Sequence, residues 1–376
     1  MPTAPIIRLR SGHAVGPGCP AFLVAEIGNN HQGSLATARD MVRAAAASGA
    51  DAVKFQKRDL AALFTRAGLD APYGGPNSFG DTYGRHRAAL ELPGEALAEL
   101  KALAESLGLA FFASVWDAPS LRLVMELGVE LVKIPSADLV NLPLLRLAGA
   151  TGLPVIISTG MSTLAEVDAA VAELRRVTGR VIILHCNSSY PCPDEQVGLP
   201  VMDLLRRRYG LPVGYSGHEQ GLGPSVASVA FSPVVIERHF TLDRSLPGTD
   251  HQASLTPETF AALADMVRQA EAAMRATRKQ VFPGEAAAAG KLRKSLVFAR
   301  DLPAGYVLGP EDLACKCPGT GLTPVLVDAV VGCRLLAKVR QDEAVRFDIL
   351  AAPAVRNVPD AAAQQTDCPA KASSGF

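Results

Sequence analysis

The sequence predicts an α/β protein, a (β/α)8 TIM barrel followed by a small β-rich domain. Eight short apolar runs alternate with helical patterns before about residue 280. Each run is nearly continuous in hydrophobicity, as parallel strands covered on both faces are. The chain has 376 residues, enough for a barrel of about 250 and a second, smaller unit. Periodicity by itself also allows an open, doubly wound sheet.

Residues 1–20 form an N-terminal extension, and the barrel is expected over residues 21–280. The eight runs are Phe22–Gly28, Ala52–Gln56, Ala110–Ser114, Leu131–Pro135, Pro154–Thr159, Val181–Cys186, Pro212–Ser216 and Val234–Phe240. The Ala-rich Ala36–Ser48 reads as a helix stopped by Gly49. Thr163-Leu-Ala-Glu166 is a capping box opening a helix that ends before Gly179. Thr256-Pro257-Glu258 opens another, with proline at the first helical position. The connection Lys57–Pro93 is unusually long and carries several aromatics. It falls where barrel active sites are built, and it reads as an ordered lid. Residues 281–292, with Pro283-Gly284 and Gly290, read as a linker. Beyond them Ser295–Arg300, Ala314–Cys317, Cys333–Ala337 and Ala344–Phe347 are strand-like, giving a domain over 293–352. Residues 353–376, rich in Ala, Gln, Ser and Pro, are expected to be disordered.

Lys+Arg and Asp+Glu both number 37, so no global field attracts nucleic acid or an acidic membrane. No apolar run reaches the ~18 residues a membrane span needs. The first twenty residues lack the apolar centre of a signal peptide. Seven cysteines without a C-x-x-C pair favour a reducing cytoplasm. Cys186, Cys192, Cys315, Cys317 and Cys333 read as small buried hydrophobes.

Polar residues concentrate at the ends of the predicted strands, where barrels place their chemistry. Glu26, Asn29, Asn30 and His31 follow the first, and Lys54 and Gln56 lie on the second. Lys133, Ser136 and Asp138 mark the fourth, and Ser158 ends the fifth. His185, Ser188 and Tyr190 close the sixth, Ser216 and His218 the seventh, and Glu237 and His239 the eighth. Lys54 and Lys133 interrupt apolar segments, and a buried ammonium needs a partner. They read either as ion pairs with Glu26 or Glu237, or as a clamp for a phosphate or carboxylate. His218 and His239 end adjacent strands, so they read either as ordinary hydrogen bonders or as two ligands of Mn²⁺, Fe²⁺ or Zn²⁺. No dedicated zinc motif is present.

With these residues in order, the chain resembles the sialic acid synthase (N-acetylneuraminate synthase) family over about residues 20–350. The matching motifs are Ala25-Glu-Ile-Gly-Asn-Asn-His-Gln-Gly33, Val53-Lys-Phe-Gln56, Lys133-Ile-Pro-Ser136, Ser158-Thr-Gly-Met161, His185-Cys-Asn-Ser-Ser-Tyr-Pro191, Gly214-Tyr-Ser-Gly-His218, Ile236-Glu-Arg-His-Phe240 and Pro247-Gly-Thr-Asp250. Ser295–Leu350 is similar to the family's antifreeze-like (SAF) domain. The resemblance implies condensation of phosphoenolpyruvate (PEP) with an N-acylated hexosamine such as N-acetylmannosamine, with phosphate released by C–O cleavage. It implies that Lys54, Lys133, Ser136, Ser158, Ser188 and Ser216 hold PEP, with Glu26 beside it and Lys133 also serving the chemistry. His218 and His239 would ligate Mn²⁺ or Mg²⁺, and Glu237 would orient that centre or its water. Gln56, Tyr190 and Asp250 would hold the open-chain sugar. It also implies a domain-swapped homodimer, and no nucleic-acid or membrane partner.

A carboxylate must take the proton of the water that attacks PEP. Asp138 is the candidate, and a loop hydrogen bonder is its alternative. Three positions depart from the family. Asp138 stands where many members carry Glu, and Val115 where many bacterial members carry a phosphate-binding Thr. Cys317 stands where many carry an Arg that reaches the sugar's acyl group, and a thiol cannot replace that charged fork. Arg87 or His86 in the long connection is the expected replacement. Other readings stay open: a diacetamido sugar leading to a legionaminic or pseudaminic acid, another metal-dependent aldolase or hydrolase, or a non-catalytic sugar- or phosphate-binding barrel.

Overall fold

The structure, a computed structural model, describes residues 6–352. It divides into two compact units at Thr277/Arg278. In the first, eight parallel strands close on themselves. They are β1 (Phe22–Gly28), β2 (Ala52–Lys57), β3 (Ala110–Val115), β4 (Val132–Ile134), β5 (Val155–Ser158), β6 (Val181–Cys186), β7 (Val213–Gly217) and β8 (Val235–His239). Pairing of β8 with β1, from Val235↔Phe22 to His239↔Glu26, excludes the open sheet.

The barrel is apolar at its N-terminal end and polar at its mouth. Phe22, Val24, Ala52, Ala110, Phe112, Leu131, Ile156, Ile182 and Val235 fill the floor. The N-terminal extension belongs to this floor, because the hairpin Ile7–Arg8/Ala14–Val15 adds the buried Ile7, Leu9 and Val15. The opposite strand faces pack against the surrounding helices through a separate apolar layer. Expected helix signals are realised locally. Thr163 caps Leu164–Arg175 and Glu166 bonds back to its amide at 2.7 Å. Thr256 caps Pro257–Ala273. Among the described residues, no helix is long and apolar enough to cross a membrane.

The long connection after β2 is ordered, with helices Leu60–Leu63, Arg66–Asp70 and Tyr83–Leu90. Its aromatics pack on one another, with ring centroids 5.3 Å apart for Phe64–Tyr83 and 4.5 Å for Tyr73–His86. Gly33 lets the loop after β1 approach it closely. Its φ is +75°, and a Cβ there would collide with the carbonyl oxygen of Ala89.

The second unit pairs Ser295–Phe298 with Leu313–Lys316, and Arg334–Leu335 with Leu350–Ala351, around Leu296, Phe298, Leu335 and Val345. Several expectations need correcting here. Residues 344–347 form no continuous strand; Ala344 makes a single bridge with Val297, the chain turns through Phe347–Ile349, and Leu350–Ala351 form the strand. The 281–292 segment contains a helix, Ala286–Leu292, formed by its alanine run. Cys315 and Cys317 are exposed, while Cys186, Cys192 and Cys333 are buried. The tail 353–376 lies outside the described residues.

One buried ion pair ties β8 to the loop after β7. Arg238 Nη1 lies 2.9 Å from Glu219 Oε1, with both side chains wholly buried. Tyr215 and Ser225 donate to the same carboxylate at 2.7 and 2.6 Å. Removing one partner leaves a bare buried charge. Arg238→Met is therefore expected to destabilise the fold by about 3–5 kcal/mol, and the double change Glu219→Leu/Arg238→Met by much less. Denaturant titration of both variants checks this.

Candidate active site

A cavity of about 310 Å³ opens at the C-terminal ends of the strands. Strand alternation decides its lining. Odd strands contribute Glu26, Ser114, Ser158 and Ser216, and even strands contribute Lys54, Lys133, Cys186 and Glu237. Each charged side chain of an even strand meets a serine of an odd one. Lys54 donates to Ser114 at 2.8 Å and Lys133 to Ser158 at 2.6 Å, and Glu237 accepts from Ser216 at 3.2 Å.

Two ammoniums and two carboxylates thus share the barrel mouth. Lys54 Nζ lies 2.7 Å from Glu26 and 3.6 Å from Glu237, and Lys133 Nζ lies 3.9 Å from Glu237. Burial pushes the Glu26 carboxyl up to about 7 against the pull of Lys54, and the nearby Glu237 charge adds to the rise. Burial acts on Glu237 in the same direction, but Lys133, Lys54 and His239 outweigh it and hold this carboxyl below its ordinary range. Burial lowers Lys133, with Glu237 opposing.

Beside these charges Ser136, Ser158 and Ser188 also line the cavity, and Ser136 and Ser188 lie against Gly160. The Gly160 amide donates to Ser136 at 3.1 Å. A Cβ at Gly160 would fall on the Ser188 hydroxyl and 2.8 Å from that of Ser136, so this polar cradle exists because the residue is glycine.

His218 and His239 converge on the cavity, their ring centroids 5.4 Å apart. Tyr190 covers His218 at 4.0 Å. His218 Nδ1 donates to the Asn187 carbonyl at 2.6 Å, which leaves Nε2 as its free nitrogen. His239 Nδ1 is buried without a hydrogen-bond partner, its nearest carboxylate being Asp250 at 3.9 Å. Glu237 Oε2 is also buried without one. These orphaned atoms and two imidazoles fit a divalent cation whose other ligands are oxygens of water and substrate. Among the described residues no set of three His, Cys, Asp or Glu side chains converges on one point, so such a centre would be open.

The outer rim is built on Arg58, which sequence reading missed. Its guanidinium lies 4.3 Å over Trp116 and donates to Asn29 at 3.1 Å, to Glu91 at 3.3 Å and to the Gln56 carbonyl. Gln56 in turn donates to Glu26 at 2.8 Å. Both ends of the Gln56 amide are therefore engaged, and the residue links the rim to the charged floor. A period-two signal existed, because Lys54, Gln56 and Arg58 fall on one face of a strand, as do Ser114 and Trp116.

Of the site residues expected from sequence, all but Asp138 line this cavity, Arg87 included. Asp138 is a correction. It sits in the turn Ser136–Asp138, accepts from Asn141 at 2.9 Å, and is not among the lining side chains. Val115 also points away, into the layer between strands and helices, and Ser114 is the inward neighbour. His86 is buried within the lid aromatics rather than in the cavity.

The chain is similar to several known synthases. The human N-acetylneuraminate-9-phosphate synthase is 37% identical over 92% of this chain and 96% of its own length. The N,N'-diacetyllegionaminic acid synthase of Legionella pneumophila is 38% identical over 85% of this chain and 92% of its own. A crystal structure of N-acetylneuraminic acid synthetase from Leptospira borgpetersenii superposes with a TM-score of 0.65 at 31% identity, covering 75% of this chain and 94% of that one. Residues 41–279 match the NeuB family, and residues 293–351 match the SAF domain. The chain is thus an enzyme of the NeuB family, with a SAF domain following its barrel.

Proposed function

We propose that the protein is a nonulosonic acid synthase that condenses PEP with the open-chain aldehyde of an N-acylated hexosamine. The observation that carries this reading is the joint lining of one cavity by Lys54, Lys133, the serine cradle, His218 and His239. A small, highly charged anion needs fixed cations and hydroxyls, and a polarised aldehyde needs an adjacent electrophile.

Lys54 and Lys133, with Ser136, Ser158, Ser188 and Ser216, would hold the carboxylate and phosphate of PEP. His218 and His239 would hold Mn²⁺ or Mg²⁺, which when bound supplies Lewis-acid polarisation of the acceptor carbonyl. The chain's own groups do the rest. The clamp presents PEP C3 to the aldehyde carbon, and a C–C bond forms. Water adds at PEP C2, the C2–O bond to phosphorus breaks, and inorganic phosphate leaves. Glu26 is the carboxylate placed to take the water's proton, since it lines the cavity between Gln56 and Lys54 while Asp138 does not line it. Tyr190 and Asp250 line the acceptor side. Relatives make products from different sugars, so N-acetylmannosamine and its 2,4-diacetamido analogues are all acceptors to test.

Consumption of PEP is expected only with a suitable hexosamine and a divalent metal together. Chelation should abolish it, and Mn²⁺ or Mg²⁺ should restore it. PEP consumed without sugar, or untouched across a broad hexosamine panel, defeats the proposal. Gly160→Ala is expected to raise the KM for PEP by about tenfold, the cost of displacing one or two anion hydrogen bonds. The same variant should melt close to the wild type, since the added methyl meets side-chain hydroxyls and not backbone.

A further inference from the structure

Among the described residues lining the cavity, buried polar atoms without a hydrogen-bond partner occur on Glu237 and His239 at the charged centre and, outside it, at Nε1 of Trp116. An orphaned indole N–H is costly, because it has lost water and gained no acceptor. The residue is also firmly placed. The Arg58 guanidinium covers the ring at 4.3 Å from its centre. The next residue, Asp117, accepts from the Asp59 amide at 2.8 Å and from the Ser120 amide at 2.7 Å, which ties the ends of β2 and β3 together. Neither contact engages Nε1. The half-buried ring lines the cavity, so a ligand there is what can bring it an acceptor.

Height in the barrel decides which ligand. Ser114, which receives Lys54, lies two residues before Trp116 on the same strand face. Alternate residues of a strand are about 6–7 Å apart, so the indole stands that much farther out than the Ser114 hydroxyl. An anion is met lower down, by Lys54, Lys133 and the serines. Above them the Gln56 amide is engaged at both ends, by Glu26 and by Arg58, whereas the indole N–H is open. An indole N–H donates and never accepts. It is best matched by an oxygen that only accepts, since a hydroxyl brings a proton that needs a place of its own. On an open-chain acceptor, apart from the reacting aldehyde, that oxygen is the carbonyl of an acylamino group. The acyl carbons beside it suit the apolar body of the ring.

We infer that Trp116 is a specificity-determining residue whose indole N–H donates to the acylamino carbonyl of the acceptor sugar. The inference rests on the synthase reading above for the identity of that ligand.

Trp116 is the only tryptophan in the sequence, so its emission reports on this contact directly. An alditol made by reducing the acetamido sugar has no aldehyde and cannot condense. With PEP and Mg²⁺ present, it is expected to move the emission of the full-length protein to longer wavelength, as an indole gaining a hydrogen bond does. PEP and Mg²⁺ alone should leave the emission in place. In turnover, the wild type should prefer the acetamido sugar over the same sugar with a hydroxyl in place of the acetamido group. Trp116→Phe keeps an aromatic ring and loses the donor. It should cut that preference by about threefold to tenfold, through the KM of the acetamido sugar, and leave the KM for PEP unchanged. Melting curves confirm that the variant folds. An undiminished preference in folded Trp116→Phe, a rise in the KM for PEP instead, or an emission shift produced by PEP as fully as by the alditol overturns the inference and leaves the synthase reading intact. No PEP consumption with any acceptor removes the synthase reading; the emission shift, which needs no turnover, then decides this inference separately.

Discussion

The whole mouth of the barrel depends on keeping four charges neutral inside it. Lys54, Lys133, Glu26 and Glu237 are each almost fully buried. A single one of them, unpaired at that depth, would cost several kcal/mol. Together they balance, and serines from the neighbouring strands satisfy three of the four. The balance is also unstable in a useful way. Glu26, pushed up to about 7, sits near the point where it gains or loses a proton at neutral pH. An entering anion is met by ammoniums that are already in place and need little reorganisation.

The floor and rim follow from that centre. Below it the strands turn apolar within two residues, as from Glu26 to Val24 and from Lys54 to Ala52, and the N-terminal hairpin covers the barrel's lower end. Above it Gln56 carries the network outward from Glu26 to Arg58, and Arg58 carries it on to Glu91 at the end of the lid helix. A change at the lid's base is therefore coupled, through two side chains, to the Glu26 carboxylate in the cavity. The outer ion pair of Arg238 and Glu219 does a different job. The β7–β8 ladder ends at Gly217↔Arg238, and this pair continues the connection at the level of His218 and His239.

A barrel that merely bound sugars would not need this arrangement. Neutral ligands are held by hydroxyls and amides, while two buried lysines and two orphaned polar atoms impose a desolvation cost without return. The anionic, metal-assisted condensation proposed above would give each of those groups a use.

Much of this was legible in the chain itself. Apolar runs separated by caps such as Thr163 and Thr256 marked the barrel, because local hydrogen bonds and burial act over a few residues. Lys54, Lys133, His218 and His239 were legible because charged and imidazole groups interrupt strands that are otherwise apolar, and because strand ends in a barrel meet. Asp138 looked like a site residue by proximity in sequence, yet a single tight turn aims it at Asn141. Arg58 follows its strand without interrupting an apolar run, and only the return of Trp116, Asn29 and Glu91 from distant segments makes it part of the rim. Residue type and spacing determined which elements form and which groups are costly to bury. Which groups finally face one another was decided by tertiary structure, because those contacts join residues tens to hundreds of positions apart and depend on the closure of the barrel and the placement of the lid.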